Sequence, residues 1–154
     1  MIQRIQSVFL LASSLLFFLM INNPLAQIVT EEGLLLELNY MHLQADQTEP
    51  FTPISVWPLS ILLFTVMILG VVTIFLFKKR TLQMRLCMFN ILLIFGLIGM
   101  IYFYAKFARI GVERTETLLL WPIVIPFISA VLSYLALKAI QKDDAVVKSW
   151  ERLR

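Results

Sequence analysis

Charge is scarce in this chain. Only 15% of its 154 residues are charged while 60% are hydrophobic, and the mean hydropathy is +0.85. Soluble domains carry about a quarter charged and about 45–50% apolar residues, so a water-solvated globule is excluded and a membrane protein is expected. Cysteine is almost absent as well. Cys87 alone permits no intramolecular disulfide, no CxxC pair and no thiolate metal cage, which excludes the four-span thiol oxidoreductases that need paired cysteines. His42 is the sole histidine. Glu37 and Asp46 lie near it, but there is no HxxH, HxxE or HExxH spacing, so a solvated loop histidine is expected and not a metal ligand. No GxSxG elbow and no phosphate-cradling glycine loop occurs, and His42 would be the only base for serine chemistry. The residues therefore specify no reaction, no catalytic group, no cofactor and no metal.

What is present is four charge-free apolar stretches, each near the roughly 20 residues that cross a bilayer core. They predict spans over 5–21, 56–77, 86–105 and 118–137, within a single domain covering 1–154. The first follows Arg4 and ends at Asn22-Asn23-Pro24, which favour leaving a helix. Arg4 before an apolar run also describes a signal peptide. Pro24-Leu25-Ala26 is a poor small-x-small cleavage site, so retention of this span is expected. The second and fourth spans open at Trp57-Pro58 and Trp121-Pro122, with proline tolerated in a first turn and tryptophan suited to the headgroup level. Pro126 should then fall where the fourth helix has already formed and bend it.

Short loops rich in lysine and arginine stay cytoplasmic. With the N-terminus inside, the cytoplasmic set is Arg4, Lys78, Lys79, Arg80, Arg85, Lys138, Lys142, Lys148, Arg152 and Arg154, against Lys106, Arg109 and Arg114 outside. Both termini are thus expected in the cytoplasm, with 138–154 as a cytoplasmic tail and 22–55 as an extracytoplasmic loop. Trp57, Tyr102, Tyr104 and Trp121 then all lie at the outer interface. In the loop, Leu25 to Val29 and Leu34 to Leu43, separated by Thr30-Glu31-Glu32-Gly33, predict a small β-hairpin packed on the helix ends. Leu36, Leu38 and Tyr40 alternate with Glu37 and Asn39, the pattern of a sheet with one wet face. Asp46 to Pro53 reads as an irregular return loop. The expected fold class is all-α: four transmembrane helices with this hairpin between the first two.

No ionisable residue lies inside the four spans, which argues against transport, since ion and proton pathways carry such residues at depth. Asn90 is the candidate interhelical hydrogen-bonding residue. Ser13, Ser14, Gly70, Gly96, Gly99, Ser129, Ala130 and Ser133 mark faces where helices approach, with Gly96 and Gly99 read as intrachain packing. Lys78, Lys79, Arg80 and Arg85 form a basic turn whose first role is orientation and whose second is attraction to lipid headgroups; nucleic acid is not an expected partner. In the tail, Val146, Trp150 and Leu153 fall at i, i+4 and i+7 of a short amphipathic helix. With Arg152 and Arg154 they form the candidate interaction surface.

Three stretches carry a family resemblance: Met1-Ile2-Gln3-Arg4-Ile5-Gln6-Ser7 at the start, Leu76 to Asn90 through Lys78-Lys79-Arg80-Thr81-Leu82-Gln83-Met84-Arg85, and Leu135 to Ser149 with Arg152-Leu153-Arg154 at the end. In these the chain resembles a family of small four-span inner-membrane proteins from Bacteroidetes, built on a domain of unknown function. The resemblance runs through the whole chain in order and implies a Gram-negative inner membrane. It brings no activity and no catalytic residues. Where glutamate would be expected after Asp143 and aspartate before the terminal Arg152-Leu153-Arg154, this chain has Asp144 and Glu151, which keep the charge.

The function expected on these grounds is that of a non-enzymatic subunit, assembly or scaffold factor of a larger inner-membrane complex. Its partners would be the lipid bilayer and another membrane protein or a second copy. The alternative is a small oligomeric transporter or channel. A lipid-modifying enzyme ranks below both, because convergent acid, base and nucleophile are missing.

Overall fold

The computed structural model describes residues 3–30, 35–45, 54–77, 79–107 and 115–152. Its elements in chain order are α1 (Gln3–Ile21), β1 (Ala26–Thr30), β2 (Leu35–Leu38), β3 (His42–Ala45), β4 (Ile54–Ser55), α2 (Trp57–Phe75), α3 (Arg80–Phe107), β5 (Thr115–Leu119), a 3-10 turn (Trp121–Val124) and α4 (Ile125–Arg152). Helix predominates, and within it each apolar segment satisfies its own backbone groups, an arrangement that hydrocarbon would require. α2, α3 and the stretch Trp121–Val146 are long and apolar enough to cross a membrane, and the apolar part of α1, Ile5–Ile21, is shorter.

Local chemistry marks several helix ends. Asn22 Nδ2 donates to Phe18 O and Asn23 Nδ2 to Leu19 O, both at 2.9 Å, so the two asparagines satisfy carbonyls that α1 leaves open where it stops. Pro58 sits in the first turn of α2, where its missing N–H is not needed. Pro126 corrects its expectation. It is the second residue of α4 and follows a 3-10 turn whose end is marked by Ile125 N–H donating to Pro122 O. The change from 3-10 to α geometry replaces a bend inside a formed helix. The fourth span is displaced accordingly, since 118–119 belong to a strand and α4 runs unbroken into the tail.

α1 packs on α2 and α4, and α3 packs on the same two helices. Neighbours run antiparallel, as the paired residues show: Gln83 meets Thr73, Cys87 meets Ser133, and Gln6 meets Ala139. One end of the bundle carries the described chain ends; the other carries a sheet. The inward positions follow a heptad-like spacing: Gln6, Leu10, Ser13, Phe17 and Met20 in α1, and Gln83, Cys87, Asn90, Ile94, Leu97 and Ile101 in α3, all buried. The outward positions are equally apolar, with Val8, Leu15, Ile61, Ile68, Phe95, Phe103 and Val131 all more than half exposed. An outer surface this apolar suits a hydrocarbon environment and not water.

The expected hairpin is part of something larger. All five described strands form one antiparallel sheet in the order β4-β3-β2-β1-β5. β1 and β2 pair as expected, Ala26 opposite Leu38 and Gln27 opposite Glu37. The core-facing pair is buried, and on the wet face Gln27 Nε2 donates to Glu37 Oε1 at 2.9 Å. The second run breaks, however. Asn39 N–H donates to His42 O at 2.9 Å, and this tight turn divides Leu34 to Leu43 into β2 and β3. β5 arrives from the α3–α4 connection and lies against β1, Ile28 opposite Thr117. Leu25, Ala26, Leu38, Leu43 and Val56 seal the sheet onto Phe17, Met20, Leu59, Ile101 and Ile125. The turn at Glu31 to Gly33 and the return loop Asp46 to Pro53 lie outside the described residues.

Candidate functional site

The bundle interior is divided across its length. On the sheet side, the buried helix residues are Phe17, Met20, Leu59, Leu63, Val66, Ile94, Leu97, Ile101, Ala105 and Ile125, all apolar. On the terminal side lie Gln6, Ser13, Thr73, Gln83, Asn90, Ser129 and Ser133, which are all of the buried polar side chains among the described residues. The boundary falls between successive inward positions in every helix: Ser13 and Phe17, Val66 and Gly70, Asn90 and Ile94, Ile125 and Ser129.

At that boundary the helices meet through small and polar groups. A Cβ added at Gly70 would lie 2.8 Å from Ser14 Oγ and 3.8 Å from Asn90 Nδ2, so α1, α2 and α3 converge where α2 has no side chain. α4 joins one turn away, where Cys87 Sγ donates to Ser133 O at 3.2 Å. Asn90 follows Cys87 by three residues and Ser129 precedes Ser133 by four, so both lie about one turn nearer the sheet on their antiparallel helices.

Hydrogen bonding in the bundle is uneven. Ser14 and Thr73, and the exposed Thr65 on the sheet side, turn their hydroxyls back to the carbonyls of Leu10, Leu69 and Ile61 at 3.0, 2.6 and 2.7 Å, the usual resolution for hydroxyls on a helix. Gln83 Nε2 donates to Thr73 O at 3.2 Å and Gln6 Nε2 to Ala139 O at 3.1 Å. Asn90 Oδ1, Ser129 Oγ and Ser133 Oγ are buried with no partner in the protein. Asn90 therefore lies beside Gly70 of α2, and its carbonyl oxygen accepts no hydrogen bond from a neighbouring helix. Gln6, Thr73 and Gln83 are polar interior residues that reading the sequence for charge missed. Their signal is position: Gln6 precedes Ser13 by seven residues, as Gln83 precedes Asn90.

The glycines of α3 do not behave as expected. A Cβ added at Gly96 would meet only Leu62 Cδ2, at 3.9 Å, and one at Gly99 would touch nothing within 4 Å. Both are exposed, so they do not form an intrachain packing face. A groove of about 360 Å³ lies beside α2, lined by Met41, Trp57, Ile61, Phe64 and Ile68 with Ser60 and Thr65. Both hydroxyls are already spent, Ser60 Oγ on Tyr40 O at 2.6 Å and Thr65 on Ile61 O. Among the described residues no three His, Cys, Asp or Glu side chains converge as a metal site would require.

The domain of unknown function DUF4293 matches residues 2–153, nearly the whole chain. The chain belongs to the DUF4293 family. None of the curated proteins compared with it matches. This agrees with the resemblance carried by the basic turn and the tail, and those two segments of the DUF4293 chain prove to be physically joined. Arg80, which opens α3, lies 3.6 Å from Asp143 Oδ2 and donates to Asp143 O at 3.4 Å. The pair is about one-fifth exposed, which places it near the surface class of ion pairs, with contributions of about 0–1 kcal/mol. A double-mutant cycle of Arg80→Ala and Asp143→Ala, read by unfolding in detergent, should give a coupling below about 1 kcal/mol that shrinks with added salt.

The other candidate interaction residues are placed only in part. Val146 is on α4 and about half exposed. Trp150 and Arg152 fall on its last turns, their side chains outside those described, and Leu153, Arg154 and Lys78 lie outside the described residues. Lys79 and Arg85 are exposed at the same end as Arg80.

Proposed function

We propose that this DUF4293 protein is a non-enzymatic subunit or assembly factor of a larger inner-membrane complex, threaded four times with both termini in the cytoplasm. The observation that carries the reading is α4, which continues as helix nine residues beyond the Asp143 contact to Arg152, about 13 Å at 1.5 Å per residue. This segment prolongs a formed helix beyond the Arg80 contact, and half-exposed Val146 with Trp150 four residues on offers apolar residues to a partner protein. Orientation is supported by Lys79, Arg80, Arg85, Lys138 and Lys142 at one end, with Trp57, Tyr102 and Trp121 exposed at the other.

Two measurements test this. Reporters active only outside the cytoplasm should be active when fused after Asp46 or Gly111 and silent after Arg80 or Arg154; activity at Arg154 ends the four-span threading. Purified in mild detergent, the protein should carry a stoichiometric membrane-protein partner whose recovery falls with Trp150→Ala while reporter orientation is unchanged. A homogeneous protein without a partner that supports solute flux in liposomes would replace this reading with the oligomeric channel.

A further inference from the structure

We propose that the Asn90–Ser129–Ser133 layer, two helical turns deep, is a buried water-binding site inside the bundle, closed toward the sheet. The three side chains are each no more than 1% exposed, and Asn90 Oδ1, Ser129 Oγ and Ser133 Oγ have no partner in the protein. An unmatched buried polar atom is costly, and three of them lie within two successive helical turns. The two serines differ from Ser14, Thr65 and Thr73, which all back-bond to their own helices. Their hydroxyls are thus left for something else.

The chemistry of the layer selects water. It presents one amide acceptor and two hydroxyls that can each donate and accept, the two to four partners that a buried water takes. It contains no charge to hold an ion. The site stands whether or not α4 recruits a partner.

The test uses the full chain in lipid bilayers, labelled with nitrogen-15 and studied by solid-state NMR with polarisation transferred from water. Transfer to the Asn90 side-chain amide should build up several-fold faster than transfer to the Leu97 amide, two helical turns toward the sheet. In Ser129→Ala/Ser133→Ala it should fall to the Leu97 level, with the amide fingerprint of α1 and α2 retained. If the wild-type Asn90 signal rises no faster than that of Leu97, the layer is dry and the proposal is overturned. Wild-type transfer persisting in the double variant overturns the assignment of the serines as the other water ligands. The first comparison needs no variant, so a folding defect cannot hide the answer.

Discussion

Gly70→Leu should be among the most damaging single substitutions in the bundle. The first added carbon already lies 2.8 Å from Ser14 Oγ, and the rest of a leucine has Asn90 behind it. Ser14 can turn away only by giving up its 3.0 Å bond to Leu10 O, so the load falls on the helices. Overpacking of this kind costs about 1–3 kcal/mol and sometimes more. Gly70→Ala should cost less, because a single carbon displaces one hydroxyl and the helix recovers up to about 1 kcal/mol of propensity. Combining Gly70→Leu with Ser14→Gly should recover a measurable part of the loss, whereas pairing it with a distant change such as Ser60→Gly should recover none. Equilibrium unfolding in mixed micelles reads all four proteins. Equal damage with and without Ser14→Gly would show that the steric conflict is elsewhere.

Ile28→Pro should dismantle the sheet while leaving the helices in place. β1 is an interior strand between β2 and β5, with Ile28 opposite Leu36 on one side and Thr117 on the other. Proline removes a ladder donor, and it is tolerated in sheets essentially only at edges or bulges. The loss should spread to both neighbours, because β5 has β1 as its described partner and β2 links β1 to β3 and β4. Amide hydrogen exchange should show protection collapsing across 35–38 and 115–119, while α2 and α3 stay protected. Ile28→Ala keeps the ladder and should leave both strands protected. Survival of β5 protection in Ile28→Pro would mean that the α3–α4 connection is held by something other than β1.

The four helices were legible because their determinants are local: length of apolar run, Asn22 and Asn23 after the first, a Trp-Pro pair before the second and fourth. The pairing of Ala26 with Leu38 and of Gln27 with Glu37 was legible through the alternation of apolar and polar side chains. β5 was not. Thr115 to Leu119 runs directly into Leu120 and Trp121, so its leucines read as the start of a span until β1 is there to pair with them. The break between β2 and β3 was hidden in the same way, since Tyr40 continues the alternation, and the turn shows in the Asn39 to His42 bond and in the Tyr40 carbonyl held by Ser60 Oγ at 2.6 Å.

The interior of the bundle divides along the same line. By itself the sequence determined that four apolar helices exist, that one end is basic and that Asn90 is an interior polar residue, because composition, charge and run length do not depend on distant partners. Only the tertiary structure decided which faces point inward. Where outward faces are as apolar as inward ones, the hydrophobic pattern that marks a core in water carries no contrast, and on the terminal side what distinguishes the inside is smallness and polarity brought into register between helices far apart in the chain. For that reason Gly70 proved to be a contact and Gly99 did not, and Gln6 and Gln83 joined Asn90 on one side of a boundary that every helix crosses at the same level.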